Sequence, residues 1–162
     1  MKVYVLFGGS RDLILGVDYS WSQVERALDE LEPDGFRHDE TDWWRCAKLK
    51  VRVCHGGARG PDTQLTEEFS EYIRYVEEPY VLEPDWSKGR HAGFIRNEEL
   101  VQWLNAQVVC GYPNKVYGCA VVVWDGISSG TKDTIDHLKN YRVPHKVILV
   151  PRKPSNQLVL FP

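Results

Sequence analysis

Three short stretches of this chain combine glycine, hydroxyl and arginine in the way an anion-binding loop does. The first is Gly8-Gly9-Ser10-Arg11. Paired glycines let the backbone turn sharply and come close to a ligand with no Cβ in the way, while Ser10 adds a hydroxyl and Arg11 a planar fork of donors. The second stretch is Gly56-Gly57-Ala58-Arg59-Gly60-Pro61-Asp62, and the third is Asp125-Gly126-Ile127-Ser128-Ser129-Gly130-Thr131-Lys132. Arg96 and Asn97 form a further polar pair, with Asn97 on the apolar stripe of its segment, where a polar side chain needs a partner. Each pattern by itself also fits a plain strand-to-helix turn or a capping pair, so the chemistry depends on whether the fold brings them together.

The elements that would do so are legible as apolar runs. Past Lys2, residues 3–7 form a continuous apolar run, as does Cys119-Ala-Val-Val-Val-Trp124; both read as strands buried on two faces. Lys48–His55 alternates basic and apolar residues and leads straight into the second glycine loop. Pro79–Glu83 and Val147–Val150 read as two more strands. Between them lie helical patterns. Ser22-Gln-Val-Glu25 has the form of a capping box, and Val24, Ala27, Leu28 and Leu31 follow at helical spacing until Pro33. Leu65, Phe69, Tyr72, Ile73 and Val76 make a second stripe, after Pro61 at a first-turn position. A third helix is expected from Ala92 to Gln107, and a fourth after the loop at 125–132; Val109–Gly118 reads as a loop.

Strands alternating with helices predict one α/β domain over residues 1–162, a three-layer sandwich on a mostly parallel five-stranded sheet. In such folds ligands bind beyond the carboxyl ends of the strands, where the strand order reverses. If the first and fourth strands are neighbours there, the loops at 8–11 and 125–132 line one crevice and the loop at 56–62 stands beside it. Residues 33–47 break the pattern. This insertion mixes charges with Phe36, Trp43 and Trp44 and reads either as a cover over the core or as a flap facing a partner. Residues 151–162 form a tail ending in Leu158–Phe161, a candidate contact for the body or for a second subunit.

Composition narrows the function classes. The chain is 43% hydrophobic and 27% charged with a formal net charge of −3, which gives no general attraction to nucleic acid or an anionic membrane. Cys46, Cys54, Cys110 and Cys119 show no zinc-type spacing. With no secretory leader recognisable they read as reduced thiols of a cytoplasmic protein, and neither a metal nor a cofactor is expected. The dinucleotide fingerprint G-x-G-x-x-G, the Walker A pattern and the G-x-S-x-G elbow are absent from the sequence. Among the five histidines, His55 alone adjoins a glycine loop.

With these residues in view, the chain resembles the YspA, cpYpsA-related branch of the SLOG superfamily of bacteria and phages. The matching segments are Gly8–Arg11, Gly56–Thr63, Pro84–Trp86, Gly93–Asn97, Trp124–Lys132 and Val143-Pro144, in family order. The resemblance implies a Rossmann-like fold and a nucleotide-derived ligand. It implies binding roles for Gly8, Gly9, Ser10, Arg11, Gly56, Gly57, Arg59, Asp62, Arg96, Asn97, Asp125, Ser129, Gly130 and Thr131, with Trp86 or Trp124 as a stacking surface for a base. Relatives include phosphoribohydrolases whose PGGxGTxxE motif supplies a catalytic glutamate. Gly130 and Thr131 match its GT, Arg96 fits the arginine of that chemistry, and the glutamate position is Thr134. Loss of that carboxylate removes a group worth about 100-fold to 10,000-fold in rate. The expectation is therefore a binding protein for an ADP-ribose or cyclic ADP-ribose type of ligand, on the family analogy a phage-encoded sponge for an antiphage signal. The alternative is a nucleotide N-glycosidase using Arg96 with Asp125 or Asp133; single-stranded DNA binding ranks below both, and a homo-oligomer is a candidate state.

Overall fold

The computed structural model of the protein describes residues 1–36, 42–73, 76–111 and 115–152. Five strands, β1 (Lys2–Gly9), β2 (Lys50–His55), β3 (Val76–Val81), β4 (Val116–Trp124) and β5 (His145–Leu149), form one sheet in the order β3-β2-β1-β4-β5. Every pairing is parallel, so the sheet is wholly rather than mostly parallel. Four helices connect the strands: α1 (Trp21–Asp29), α2 (Pro61–Tyr72), α3 (Ala92–Cys110) and α4 (Ser129–Asn140). The result is a Rossmann-like three-layer sandwich.

The two faces of the sheet bury separate cores. Val3, Val5 and Phe7 of β1 face α1 and α2, packing with Val24, Leu28, Leu65 and Phe69. Tyr4 and Leu6 face the other way, onto Leu100, Val101 and Leu104 of α3 and Ile135 and Leu138 of α4. This is the period-2 alternation of a central strand buried on both sides, and it explains the unbroken apolar run. Because β1 lies between β2 and β4, the order reverses at the β1–β4 pair, where Lys2–Gly9 runs in register with Val116–Val123.

Several boundaries differ from the sequence expectation, each for a local reason. The capping box is formed by Ser20 and Gln23 rather than Ser22 and Glu25: Ser20 has extended backbone, accepts from the Gln23 amide, and its own amide donates to Gln23 Oε1 at 2.8 Å. Helix α1 ends at Asp29, before Pro33. Strand β3 runs Val76–Val81 instead of Pro79–Glu83. Its pairing with β2 shifts register between Arg52 and Cys54, and that irregularity on an edge strand accommodates Pro79. Helix α3 extends to Cys110 and β4 begins at Val116, so much of the expected loop at 109–118 is regular structure. Gly118 is a packing glycine of β4: a Cβ there would meet Val108 Cγ2 at 2.7 Å. Strand β5 starts two residues before Val147.

The tryptophans of the expected insertion cover the core. A 3-10 turn, Trp43–Arg45, buries both indoles on the α1/α2 face; Trp43 Nε1–H donates to Leu28 O at 2.7 Å and Trp44 Nε1–H to Asp29 Oδ1 at 3.0 Å. Residues 37–41 of that insertion and the tail beyond Arg152, including the candidate contact at Leu158–Phe161, lie outside the described residues. Among the described residues no helix is long and apolar enough to cross a membrane.

Candidate functional site

The carboxyl end of β1 is the pivot of the site. Gly9 closes the strand against its neighbours so tightly that a Cβ would fall 2.5 Å from Val123 O and 2.7 Å from Pro61 Cγ. Ser10 then turns inward and is buried. Its amide donates to Val123 O at 2.9 Å, and its Oγ accepts the Asp125 amide at 3.1 Å and lies 3.3 Å from Thr131 Oγ1. One side chain thus joins the end of β1, the end of β4 and the first turn of α4.

The loop after β4 is built by Asp125. Its Oδ1 accepts the amides of Ile127 at 2.9 Å and Ser128 at 2.7 Å, an Asx-type turn in which Gly126 takes φ +81. Its Oδ2 accepts Arg152 Nε–H at 2.7 Å. Burial pushes the Asp125 carboxyl up, but the Ser128 and Ile127 amides, Arg152 and Ser10 outweigh it and hold the group below its ordinary range. Asp125 is therefore an ionised loop anchor with its oxygens already engaged. Beyond it, Ser128 caps α4 without a side-chain bond, and the first amide of the helix to find a backbone acceptor is Lys132, on Ser128 O at 3.1 Å. The amides of Ser129, Gly130 and Thr131 have no acceptor among the described residues. They present the positive end of the helix dipole to the space beside Ser10.

The loop after β2 works differently from the expectation of free phosphate-binding amides. Asp62, buried at the start of α2, accepts the Gly56 amide at 3.0 Å and the Ala58 amide at 3.3 Å through one oxygen. The Gly57 amide donates to His55 Nδ1 at 3.0 Å. These donors are spent on the loop itself. Burial pushes Asp62 up to about 6, although Arg96 and the amides of Ala58, Gly56 and Gly9 pull the other way. His55 is lowered by burial and by Arg96, which keeps the imidazole neutral and suits Nδ1 as an acceptor. Arg59 is well exposed and pairs with Asp12 at 3.1 Å, so it stands on the outer rim.

Arg96 and Asn97 both turn inward from the first turns of α3. Arg96 donates from Nη1 to Gly56 O and from Nε to Asn97 Oδ1 at 3.0 Å. Asn97 Nδ2 donates to Gly130 O and to Asp133 Oδ2, each at 3.1 Å, tying α3 to α4. Asp133 also lies 3.3 Å from His137 Nε2. The second candidate carboxylate is in this way held on the α3–α4 seam, and the residue of that turn that does line the cleft is Thr134.

These elements enclose a cleft of about 340 Å³ at the β1–β4 switch point. Gly8, Gly9, Ser10, Arg11, Gly56, Asp62, Arg96, Asn97, Ser129, Gly130 and Thr131 line it; Gly57, Arg59, Asp125 and Asp133 do not. It continues past Arg11 and Trp86 into a second hollow of about 490 Å³, where Gly57 and Arg59 lie. Arg90, Phe94, Thr134 and Arg152 also line the cleft and were not singled out as site residues from the sequence. Arg90 belongs to a 3-10 turn, Trp86–His91, that reads in sequence only as a polar loop. Arg11 and Arg90 have no hydrogen-bond or ion-pair partner among the described residues. The carboxylates at the wall are engaged: Asp62 by amides, and Asp12 by Arg59 at 3.1 Å and Arg152 at 3.9 Å. No group of three His, Cys, Asp or Glu side chains among the described residues is placed to hold a metal ion. The arrangement offers cations, hydroxyls and a helix N-terminus to an anionic guest, with Trp86 and Phe94 as apolar surface at its mouth. Compared with protein-family models, curated proteins and solved structures, the chain has no match.

Proposed function

We propose that the protein binds and retains a nucleotide-derived small molecule, of the ADP-ribose or cyclic ADP-ribose type, without cleaving it. The observation that carries this reading is the first turn of α4 beside Ser10 and Thr131, whose amides have no acceptor among the described residues, facing Arg11 and Arg90, which have no partner among them either, across the β1–β4 switch point. A phosphate seated there meets the amides of Ser129, Gly130 and Thr131 and the guanidinium of Arg11. Arg90 takes a second phosphate or a carboxylate nearer the mouth, and Trp86 offers a face to a base. Retention rather than hydrolysis is supported by the state of the carboxylates: Asp125 and Asp133 are turned into the protein and bonded, and the cleft-facing position is Thr134. The resemblance to SLOG proteins adds the biological reading, removal of a nucleotide signal from the cell by a phage-encoded sponge.

The test is incubation of the purified protein with pooled nucleotide metabolites, separation of protein from free pool, and mass analysis of both. The expected result is an intact ligand released from the protein only on denaturation. Charge-assisted bonds contribute about 1.5–3 kcal/mol each, so Arg11→Ala lowers affinity roughly 10-fold to 100-fold, and Thr131→Val weakens it as well. Free base accumulating in the pool at the expense of a nucleotide, and disappearing with Asp125→Asn or Asp133→Asn, overturns the reading in favour of a hydrolase. Failure of every linear and cyclic ADP-ribose derivative to bind removes the proposed ligand class.

A further inference from the structure

At the opposite end of the sheet, where the strands begin, a hollow of about 620 Å³ is lined by Lys2, Lys48, Lys50 and Lys115 together with Tyr4 and the last turn of α3. The parallel register sets Lys2 directly beside Lys50 on β1 and β2. Like charges side by side on a sheet are destabilising, by up to about 1 kcal/mol. Among the described residues one carboxylate relieves this cluster, Glu77, with Oε2 at 3.5 Å from Lys2 Nζ. Lys48, Lys50 and Lys115 have no carboxylate partner among the described residues. Arg52, next along β2, is occupied elsewhere: Nε–H donates to Glu78 O at 3.0 Å, and the guanidinium lies over the rings of Tyr80 and Trp103.

The negative end of α3 faces the hollow and has no basic residue in its own last turn, but a helix terminus supplies only about half a unit charge. That leaves most of the positive charge of four lysines uncompensated around one concave surface. Once Glu77 and the helix end are counted, about +2.5 remains, and a single phosphate, at about −1.5 to −2, falls short of it. Lysine ammonium groups act as separate point charges on flexible stems, which suits several linked anionic groups better than one planar anion.

We propose that this hollow is a second anion site, distinct from the cleft, that takes a short chain of linked phosphates. Its source is free polyphosphate or the triphosphate of a nucleotide. The site lies at the other end of the sheet and does not rest on the ligand proposed for the cleft. The probe is sodium tripolyphosphate, titrated calorimetrically at low salt into the full chain carrying Arg11→Ala and Thr131→Val, so that the cleft is disabled. Binding of one tripolyphosphate per chain is expected, weakening as salt is added, with orthophosphate far weaker. Adding Lys50→Gln and Lys115→Gln lowers the affinity at least 10-fold, and in the absence of phosphate leaves the melting temperature unchanged or higher because repulsion is relieved. Parallel titration with ATP separates the two sources: comparable binding indicates a nucleotide triphosphate, and failure of ATP alone indicates free polyphosphate. Absence of tripolyphosphate binding, or equal affinity in the lysine variant, overturns the proposal. A lysine variant that melts lower and still binds assigns the cluster to folding alone.

Discussion

The guanidinium of Arg96 occupies the space in which a Cβ on Gly56 would have to sit. The glycine is needed there for close approach rather than for backbone conformation, since Gly56 has no positive φ. Gly56→Ala therefore displaces Arg96 from Gly56 O and strains its bond to Asn97, leaving a buried cation without its partners. The expected cost is about 2–4 kcal/mol, combining overpacking with a broken buried network. Urea unfolding checks it; a variant within 0.5 kcal/mol of the parent, a difference of roughly the size surface substitutions give, refutes the packing.

Asp62 makes stability depend on pH in an unusual direction for a carboxylate. Its folded value, about 6, lies above its ordinary 3.8. Protonation favours the folded state, so this contribution is fully present below about 3.8 and is lost as pH rises through about 6. Asp62→Asn removes the titration. Between pH 7 and pH 4 the parent should gain about 2 kcal/mol of stability relative to the variant. Paired denaturant titrations across that range are the check, and a gap that does not change with pH counts against the buried, desolvated carboxylate.

Trp43 anchors the far face of the sheet. Trp43→Ala empties a fully buried indole site and removes the donor to Leu28 O, at an expected cost of about 3–5 kcal/mol. Trp43→Phe keeps most of the volume and loses the hydrogen bond, about 1–3 kcal/mol. Because α1 and the 3-10 turn lie away from the cleft, ligand retention by the folded Trp43→Phe protein should equal that of the parent. Equilibrium dialysis of both proteins measures it, and a tenfold loss would show that the Trp43 region and the cleft are coupled.

How far the sequence speaks for the structure depends on the physical signal each feature leaves. The strands of β1 and β4 are plain because residues buried on both faces must be apolar throughout. The loops at 8–11, 56–62 and 125–132 are plain because glycine and proline punctuate strand ends. Their convergence follows from parallel connections once β1 and β4 are neighbours. Other features leave no periodic trace. Trp43 and Trp44 are buried by indole packing and N–H donation from a 3-10 turn, so no stripe announces them. Gly118 reads as a turn but serves a close helix-to-strand contact. The amides of Gly56 and Gly57 look free in sequence because their acceptors, Asp62 and His55, are recognisable as such only when the loop is closed. Arg90 and Arg152 reach the cleft from segments whose composition is simply polar.

The placement of Trp86 has a practical consequence. Of the six tryptophans in the chain it is the exposed one, at 61%, while Trp43 and Trp44 are buried and the remaining three are partly covered. Trp86 also stands at the junction of the cleft and its adjoining hollow. The chain thus carries an intrinsic optical reporter at its own entrance. A water-exposed indole emits at longer wavelength and is reached by a collisional quencher, whereas the interior indoles are shielded. A guest that settles against the entrance dims or shields the red edge of the emission and leaves the blue edge unchanged, so occupancy can be read in solution from the unlabelled protein.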